Sequence, residues 1–184
     1  QMRPLYTEDD EAYVEVPETW IFLSNGNMLL TSERDGYNHI YMYDMSGRQL
    51  NQLTRGEYDV MSVCSVDEKN GLIYYLSHQS SPLNCELYSV DFKGKKSTFL
   101  SKGQEGWNRV DFSANSKYYI NSFTDANTPP VYTLHASNGK LLKILEDNAE
   151  LRGRMKEYGV EGKHVGTLTT SKGTELNYYI ILPP

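Results

Sequence analysis

Three aliphatic-tyrosine pairs, each leading into a glycine turn, recur along this chain at intervals of about 45 residues: Ile40-Tyr41, Leu87-Tyr88 and Val131-Tyr132. Each pair runs into a turn carrying a glycine: Asp44-Met45-Ser46-Gly47, Asp91-Phe92-Lys93-Gly94 and His135-Ala136-Ser137-Asn138-Gly139. A strand then closes on Leu53, Leu100 or Leu145. Ahead of each pair lies an apolar strand (28–32, 72–77 and 118–123), itself preceded by a segment rich in Asn, Ser, Asp or Gly. Each unit therefore holds about four strands, the size of one β-propeller blade. The three tyrosines are expected to occupy equivalent sites, with their aliphatic partners on the opposite face, because side chains alternate along a strand.

The rest of the composition agrees. Fifteen tyrosines among 184 residues suit half-buried pleated strands. Helical periodicity is absent between 19 and 145. The chain is predicted to be all-β: a leader over 1–18, then three four-stranded blades at 19–54, 60–100 and 108–145. Regularly spaced short strands also build sandwiches, but one register kept through three successive units favours the propeller. A propeller closes with about 4 to 8 blades. This one is expected to be partial, part of a larger ring.

The pattern changes after residue 146. Asp147-Asn148-Ala149-Glu150 reads as a capping box with Asp147 as N-cap. Leu151, Met155 and Tyr158 share one helical face, and Gly159 suits the position just past the helix. A short amphipathic helix is predicted over 148–158, then strands near 165–170 and 176–182 joined by the turn 171–174. This segment, 147–184, reads as an exit towards another domain, and Leu182-Pro183-Pro184 as a cut end.

A formal charge of -6 without a basic stripe argues against nucleic-acid binding. No apolar run approaches the ~20 residues of a membrane helix, and the chain reads as soluble. His39, His78, His135 and His164 are too scattered to pair as ligands, so neither a metal nor a cofactor is predicted. Cys64 and Cys85 are placed on the first and third strands of blade two. Such strands lie ~9.5 Å apart, beyond the ~7 Å reach of a disulfide, so two free, mostly buried thiols are expected. Glu8-Asp9-Asp10-Glu11 lacks the alternating spacing of a calcium loop and reads as a solvated or mobile segment. Asp147-Asn148 reads as helix capping, not as a metal site.

Ser32, Asp35 and His39 supply triad side-chain types within one short stretch. A hairpin separates them, and a triad also needs an oxyanion hole. Glu33-Arg34-Asp35-Gly36 is read as a turn whose charges are solvated, with Asp35-Gly36 supplying the hairpin signal, and His39 as a residue hydrogen-bonded to a neighbouring blade. Tyr58 and Trp107, each near the start of a blade, are read as inter-blade packing.

Ser32-Glu33-Arg34-Asp35-Gly36-Tyr37-Asn38-His39-Ile40-Tyr41 resembles a blade signature of dipeptidyl peptidase IV-like proteins, in the prolyl oligopeptidase clan of serine peptidases. Leu53-Thr54-Arg55-Gly56-Glu57-Tyr58-Asp59-Val60 is similar to that family's blade junction, with Tyr58 where Trp is commoner. Val131-Tyr132-Thr133-Leu134-His135 and Leu145-Glu146-Asp147-Asn148 resemble its last blade and exit helix. Residues 178–184 resemble the strand that opens its α/β-hydrolase domain. The resemblance covers residues 19–184.

It implies a parent enzyme that removes N-terminal dipeptides after Pro or Ala, with a Ser-Asp-His triad on a hydrolase domain. The nucleophile of such a domain sits in G-x-S-x-G, and no G-x-S-x-G occurs here. No catalytic residue carries over, substrate-binding residues stay unassigned, and the chain alone is expected to be inert. Implied partners are the hydrolase domain, peptide substrates and a second copy of the parent; the implied location is periplasmic or otherwise extracytoplasmic. A stand-alone propeller scaffold binding a protein or glycan is the alternative reading.

Overall fold

The computed structural model describes residues 4–17 and 19–182. Its first sheet holds β1 (Trp20–Phe22), β2 (Met28–Ser32), β3 (His39–Tyr43) and β4 (Gln49–Gln52). The second holds β5 (Val60–Asp67), β6 (Leu72–Ser77), β7 (Glu86–Asp91) and β8 (Ser97–Phe99). The third holds β9 (Trp107–Phe112), β10 (Tyr118–Thr124), β11 (Val131–Ala136) and β12 (Leu141–Glu146). All three are antiparallel meanders in chain order. They are successive blades of a partial propeller.

Apolar faces hold the blades together. Leu29, Ile40, Met42 and Leu53 of blade one interdigitate with Ile73, Tyr75, Tyr88 and Val90 of blade two. The opposite face of blade two, with Tyr74, Leu76, Leu87 and Leu100, takes Tyr119 and the half-buried Val110 and Phe112 of blade three. Both Leu87 and Tyr88 are buried, so blade two is covered on both sides. At two of the strand ends a hydroxyl replaces a ladder carbonyl: Ile40 N–H donates to Thr54 Oγ1 at 2.9 Å and Leu87 N–H to Ser101 Oγ at 3.0 Å.

The turn glycines form a second repeated joint. Gly47, Gly94 and Gly139 all sit at positive φ, at 87°, 66° and 88°. Each presses on the last strand of the unit before it. A Cβ on Gly94 would lie 2.7 Å from the Gln52 carbonyl oxygen, and one on Gly139 2.8 Å from that of Leu100. Gly47 presses in the same way on Leu5, which puts the leader where a preceding blade would end. Gly94→Ala combines left-handed strain of about 1–2 kcal/mol with a backbone clash. Gly103, at φ 84°, has nothing within 4 Å and isolates the strain alone. The expected result in urea unfolding is a loss for Gly94→Ala exceeding that for Gly103→Ala by at least about 1 kcal/mol. Equal losses would mean that the joint contributes nothing.

The third unit departs from the expected register. Its turn closes on the Ala136 carbonyl, as the others close on Asp44 and Asp91. Three residues upstream stand Tyr41, Tyr88 and, in blade three, Thr133. Cross-strand pairing agrees, matching Leu30 with Tyr41, Tyr75 with Tyr88 and Asn121 with Thr133. Tyr132 is thus one residue out, because one more residue separates it from the turn glycine. It takes the position of Ile40 and Leu87 and points to the opposite face. There it is 39% exposed, beside the exposed Tyr118, Ile120 and Leu145. The matching residues of blade one, Leu29, Ile40 and Leu53, are buried by blade two. Blade three therefore presents an uncovered apolar face.

The exit segment comprises α1 (Ala149–Glu157), β13 (His164–Thr169) and β14 (Glu175–Ile180). Asn148, at φ 52°, is the N-cap, and it makes no side-chain cap bond. The capping box is not formed. Asp147 Oδ1 instead accepts Ala149 N–H at 2.9 Å, and Glu150 pairs along the helix with Arg154. Gly159, at φ 62°, ends the helix as expected. The expected amphipathic face is weak: Met155 is half-buried and no residue of α1 is fully buried. Strands β13 and β14 form a separate two-stranded sheet. Pro183 and Pro184 lie outside the described residues.

One smaller correction concerns blade two. Cys85 stands just ahead of β7; its N–H donates to the Gly106 carbonyl and its carbonyl accepts from Asn108 N–H, bridging to blade three. Trp107 opens β9 and, although 48% exposed, meets blade two as expected: its ring centre lies 5.8 Å from that of His78, and its backbone bridges to Cys85. Tyr58 likewise packs against the core between blades one and two.

Candidate functional site

The densest polar cluster lies at the end of blade one where the β2–β3 hairpin meets the leader. Arg34 leaves the hairpin turn and folds back over three tyrosines. Its guanidinium carbon lies 4.5 Å from the ring centre of Tyr41, 5.2 Å from Tyr6 and 5.7 Å from Tyr43. The same group donates to the hydroxyls of Tyr6 and Tyr43 and to Gln49 Oε1 at 3.2 Å. Its Nε donates to Ser32 Oγ at 2.9 Å, and the Ser32 hydroxyl donates to Glu8. The Glu8 carboxylate stands 3.9 Å from Arg34 Nε.

Environment sets the protonation of these groups. Burial, reinforced by the Glu8 carboxylate, pushes the Tyr6 phenol up to about 12. Burial and the nearby Asp35 charge raise Tyr41 further. Burial works against the Arg34 charge, but the phenols of Tyr43 and Tyr6 and the Glu8 carboxylate outweigh it, and Arg34 is held more firmly protonated. The cluster is a cation locked among neutral phenols beside one carboxylate. It has no free base and no nucleophile.

Glu8 corrects the reading of the acidic run. Its side chain is only 12% exposed, because the leader folds back over blade one. Asp9, Asp10 and Glu11 are exposed, and Asp10 accepts the backbone N–H groups of Ala12 and Tyr13. A shallow cleft of about 200 Å³ opens beside them, with Glu8, Asp10, Glu15, Glu33 and Arg34 among its lining.

The three triad-type residues are separated by their bonds. Ser32 and His39 pair directly across the β2–β3 ladder, so the hairpin brings them onto one face of the sheet. Yet each is engaged elsewhere. His39 Nε2 lies 3.0 Å from the Gly56 carbonyl, which can only accept, so the proton is on Nε2. Nδ1 then accepts from the Thr54 hydroxyl at 3.1 Å. His39 is buried with both nitrogens used, tied to the strand leading into blade two. Asp35 accepts from Gln52 Nε2.

Burial pushes both thiols, Cys64 and Cys85, up to about 11, so neither is a thiolate at neutral pH. They are unpaired. Among the described residues no group of three His, Cys, Asp or Glu side chains is placed to hold a metal ion. The sequence reading took Arg34 for a solvated turn charge and passed over Tyr6 and Tyr43; the structure instead folds Arg34 back over the tyrosines. The one trace is a lone arginine in the turn ahead of a strand that carries Tyr41 and Tyr43, which spacing cannot distinguish from a solvated charge.

Comparison with known proteins agrees with this architecture. The family described as the dipeptidyl peptidase IV N-terminal region matches residues 1–130. A probable dipeptidyl peptidase 4 of Aspergillus flavus is 32% identical over 155 residues, covering 83% of this chain and 20% of that protein. Dipeptidyl peptidase 4 of Trichophyton rubrum is 33% identical over 156 residues, with the same coverage. The crystal structure of Porphyromonas gingivalis dipeptidyl peptidase 4 superposes with a TM-score of 0.82 at 38% identity, covering 89% of this chain and 23% of that one. The chain thus spans about a fifth of these relatives. With its blades, their order and most of its length matched, this chain belongs to the dipeptidyl peptidase IV N-terminal-region family.

Proposed function

We propose that this chain is the C-terminal part of the propeller of a dipeptidyl peptidase IV-like serine exopeptidase that releases Xaa-Pro and Xaa-Ala dipeptides from peptide N-termini. Within it the chain is non-catalytic. Its blades restrict access by size, admitting short peptides to the hydrolase domain of the parent and excluding folded proteins. The observation that carries the reading is the fold itself: family-type blades lead into a hairpin, and among the described residues the triad-type Ser32, Asp35 and His39 are each bonded to other partners. The apolar face of blade three supports a parent ring in which a further blade covers it. A homodimeric parent and a periplasmic or extracytoplasmic location belong to the same proposal, on the family likeness.

The test compares the chain with its full-length parent. The chain alone should neither hydrolyse Xaa-Pro reporters nor label with a serine-directed fluorophosphonate, whereas the parent should do both. Labelling of one serine in the isolated chain would refute the non-catalytic role. A parent that leaves Xaa-Pro reporters intact would refute the peptidase reading.

A further inference from the structure

Helix α1 and the hairpin β13–β14 share no strand pairing with blade three, and the helix buries no residue. Something else must fix their place. The loop between β10 and β11 carries Asn127, whose side-chain amide meets the backbone of Lys163 at two points. Asn127 Nδ2 donates to the Lys163 carbonyl at 3.0 Å, and Lys163 N–H donates to Asn127 Oδ1 at 2.6 Å. This is a strand-type pairing made by a side chain, at the residue just ahead of β13.

The loop is built to hold that amide still. Asp125 Oδ1 accepts the N–H groups of Asn127 at 2.8 Å and Thr128 at 2.6 Å, and its Oδ2 accepts the Thr128 hydroxyl at 2.9 Å. Burial disfavours the Asp125 charge, but these donors outweigh it and hold the carboxyl below its ordinary value. Thr124 Oγ1 donates to the Thr128 carbonyl at 2.7 Å, and Pro129-Pro130 stiffens the far side. Gly162 lies flat against the amide: a Cβ there would stand 3.1 Å from Asn127 Oδ1. A second asparagine, Asn148, donates from Nδ2 to the Pro130 carbonyl and ties down the start of the helix. The stretch from Asn148 to Lys163, helix included, is thus stapled at both ends to one loop.

We infer that Asn127 is a positioning residue: its two-point clamp on Lys163 sets the orientation of the β13–β14 hairpin relative to the last blade. Asn148 anchors the helix N-terminus but leaves the hairpin free to swing when the clamp is lost.

Residual dipolar couplings test this on the whole chain. In the native protein one alignment tensor should fit the amides of β9–β12 and of β13–β14. In Asn127→Ala the hairpin couplings should fall at least about twofold relative to those of blade three, while the blade couplings stay put. The Lys163 amide should lose hydrogen-exchange protection in the same variant. Asn127→Asp keeps the acceptor for Lys163 N–H and should restore part of both signals, which a merely space-filling side chain would not do. Gly162→Val pushes against the clamp from the other side and should reproduce the loss if Asn127→Ala does not fold. A single tensor that still fits blade and hairpin in Asn127→Ala, or in Gly162→Val where that variant stands in, overturns the inference.

Discussion

Leu87→Ala is expected to destabilise the chain by about 2–5 kcal/mol, the usual range for emptying a fully buried leucine site. Tyr132→Ala, at what looks like the same repeat, is expected to change stability by less than about 0.5 kcal/mol. The contrast follows from register. Leu87 has no exposed surface and packs within the core shared by blades two and three. Tyr132 occupies the matching position one blade on, but its face has no neighbour among the described residues. Chemical denaturation of the two variants separates the cases, since both should keep the native slope against denaturant. A loss above about 2 kcal/mol for Tyr132→Ala would mean that its face is covered after all.

That pair also shows where sequence reading stops. The strands Met28–Ser32 and Leu72–Ser77 were legible to the residue, because apolar runs there are bounded by Asn-Gly turns. The four-stranded unit was legible from its spacing. What spacing could not resolve was one extra residue before the turn of blade three. A one-residue slip reverses every side chain of a strand, and the Val-Tyr motif survives it unchanged. Thr133 and His135, the residues that face blade two in its place, are buried polar groups that no apolar pattern announces. Their burial is tolerated because His135 Nε2 meets Thr133 Oγ1 at 2.8 Å and Nδ1 meets the Gly139 carbonyl at 3.1 Å.

The site residues failed to show for a different reason. Glu8 reads as solvated in isolation, and only the return of the leader onto blade one, with Leu5 under Gly47, brings its carboxylate to Ser32 and Arg34. Asn127 reads as a loop residue, and its partner lies 36 positions along the chain. Long-range polar pairs of this kind carry no local signature. By contrast the helix was found from its pattern, but with only Leu151 and Met155 as large apolar residues among mostly charged ones it has too little apolar surface to bury a face.

Alkali should unfold this protein steeply above pH 10, because its cores are built around neutral tyrosines. Burial pushes Tyr119 up to about 12, and raises Tyr41, Tyr75 and Tyr88 further. Tyr88 has an added cause, since its hydroxyl donates to the buried Glu86 carboxylate at 3.0 Å and ionisation would set two anions together. A folded value above the unfolded one means that the unfolded chain releases its proton first. The resulting stability is complete below pH 10 and is lost as pH rises towards the folded value. Each such group contributes a slope of roughly 1 kcal/mol per pH unit, so Tyr119 alone removes on the order of 2–3 kcal/mol between pH 10 and 12. With three more buried phenols acting in the same direction, the total reaches the whole stability of an ordinary domain, about 5–15 kcal/mol. Exposed tyrosines such as Tyr13 and Tyr158 should ionise gradually near pH 10. The remaining tyrosinate absorbance should appear together with the loss of circular dichroism, in one cooperative step within that window. Complete ionisation of all the tyrosines near pH 10 while the β signal persists would contradict the argument. Tyr119 offers the sharper control, because its hydroxyl is buried without a hydrogen-bond partner among the described residues. Tyr119→Phe deletes that unsatisfied group, so it should leave neutral-pH stability unchanged or slightly raised and make the alkaline transition shallower by one proton.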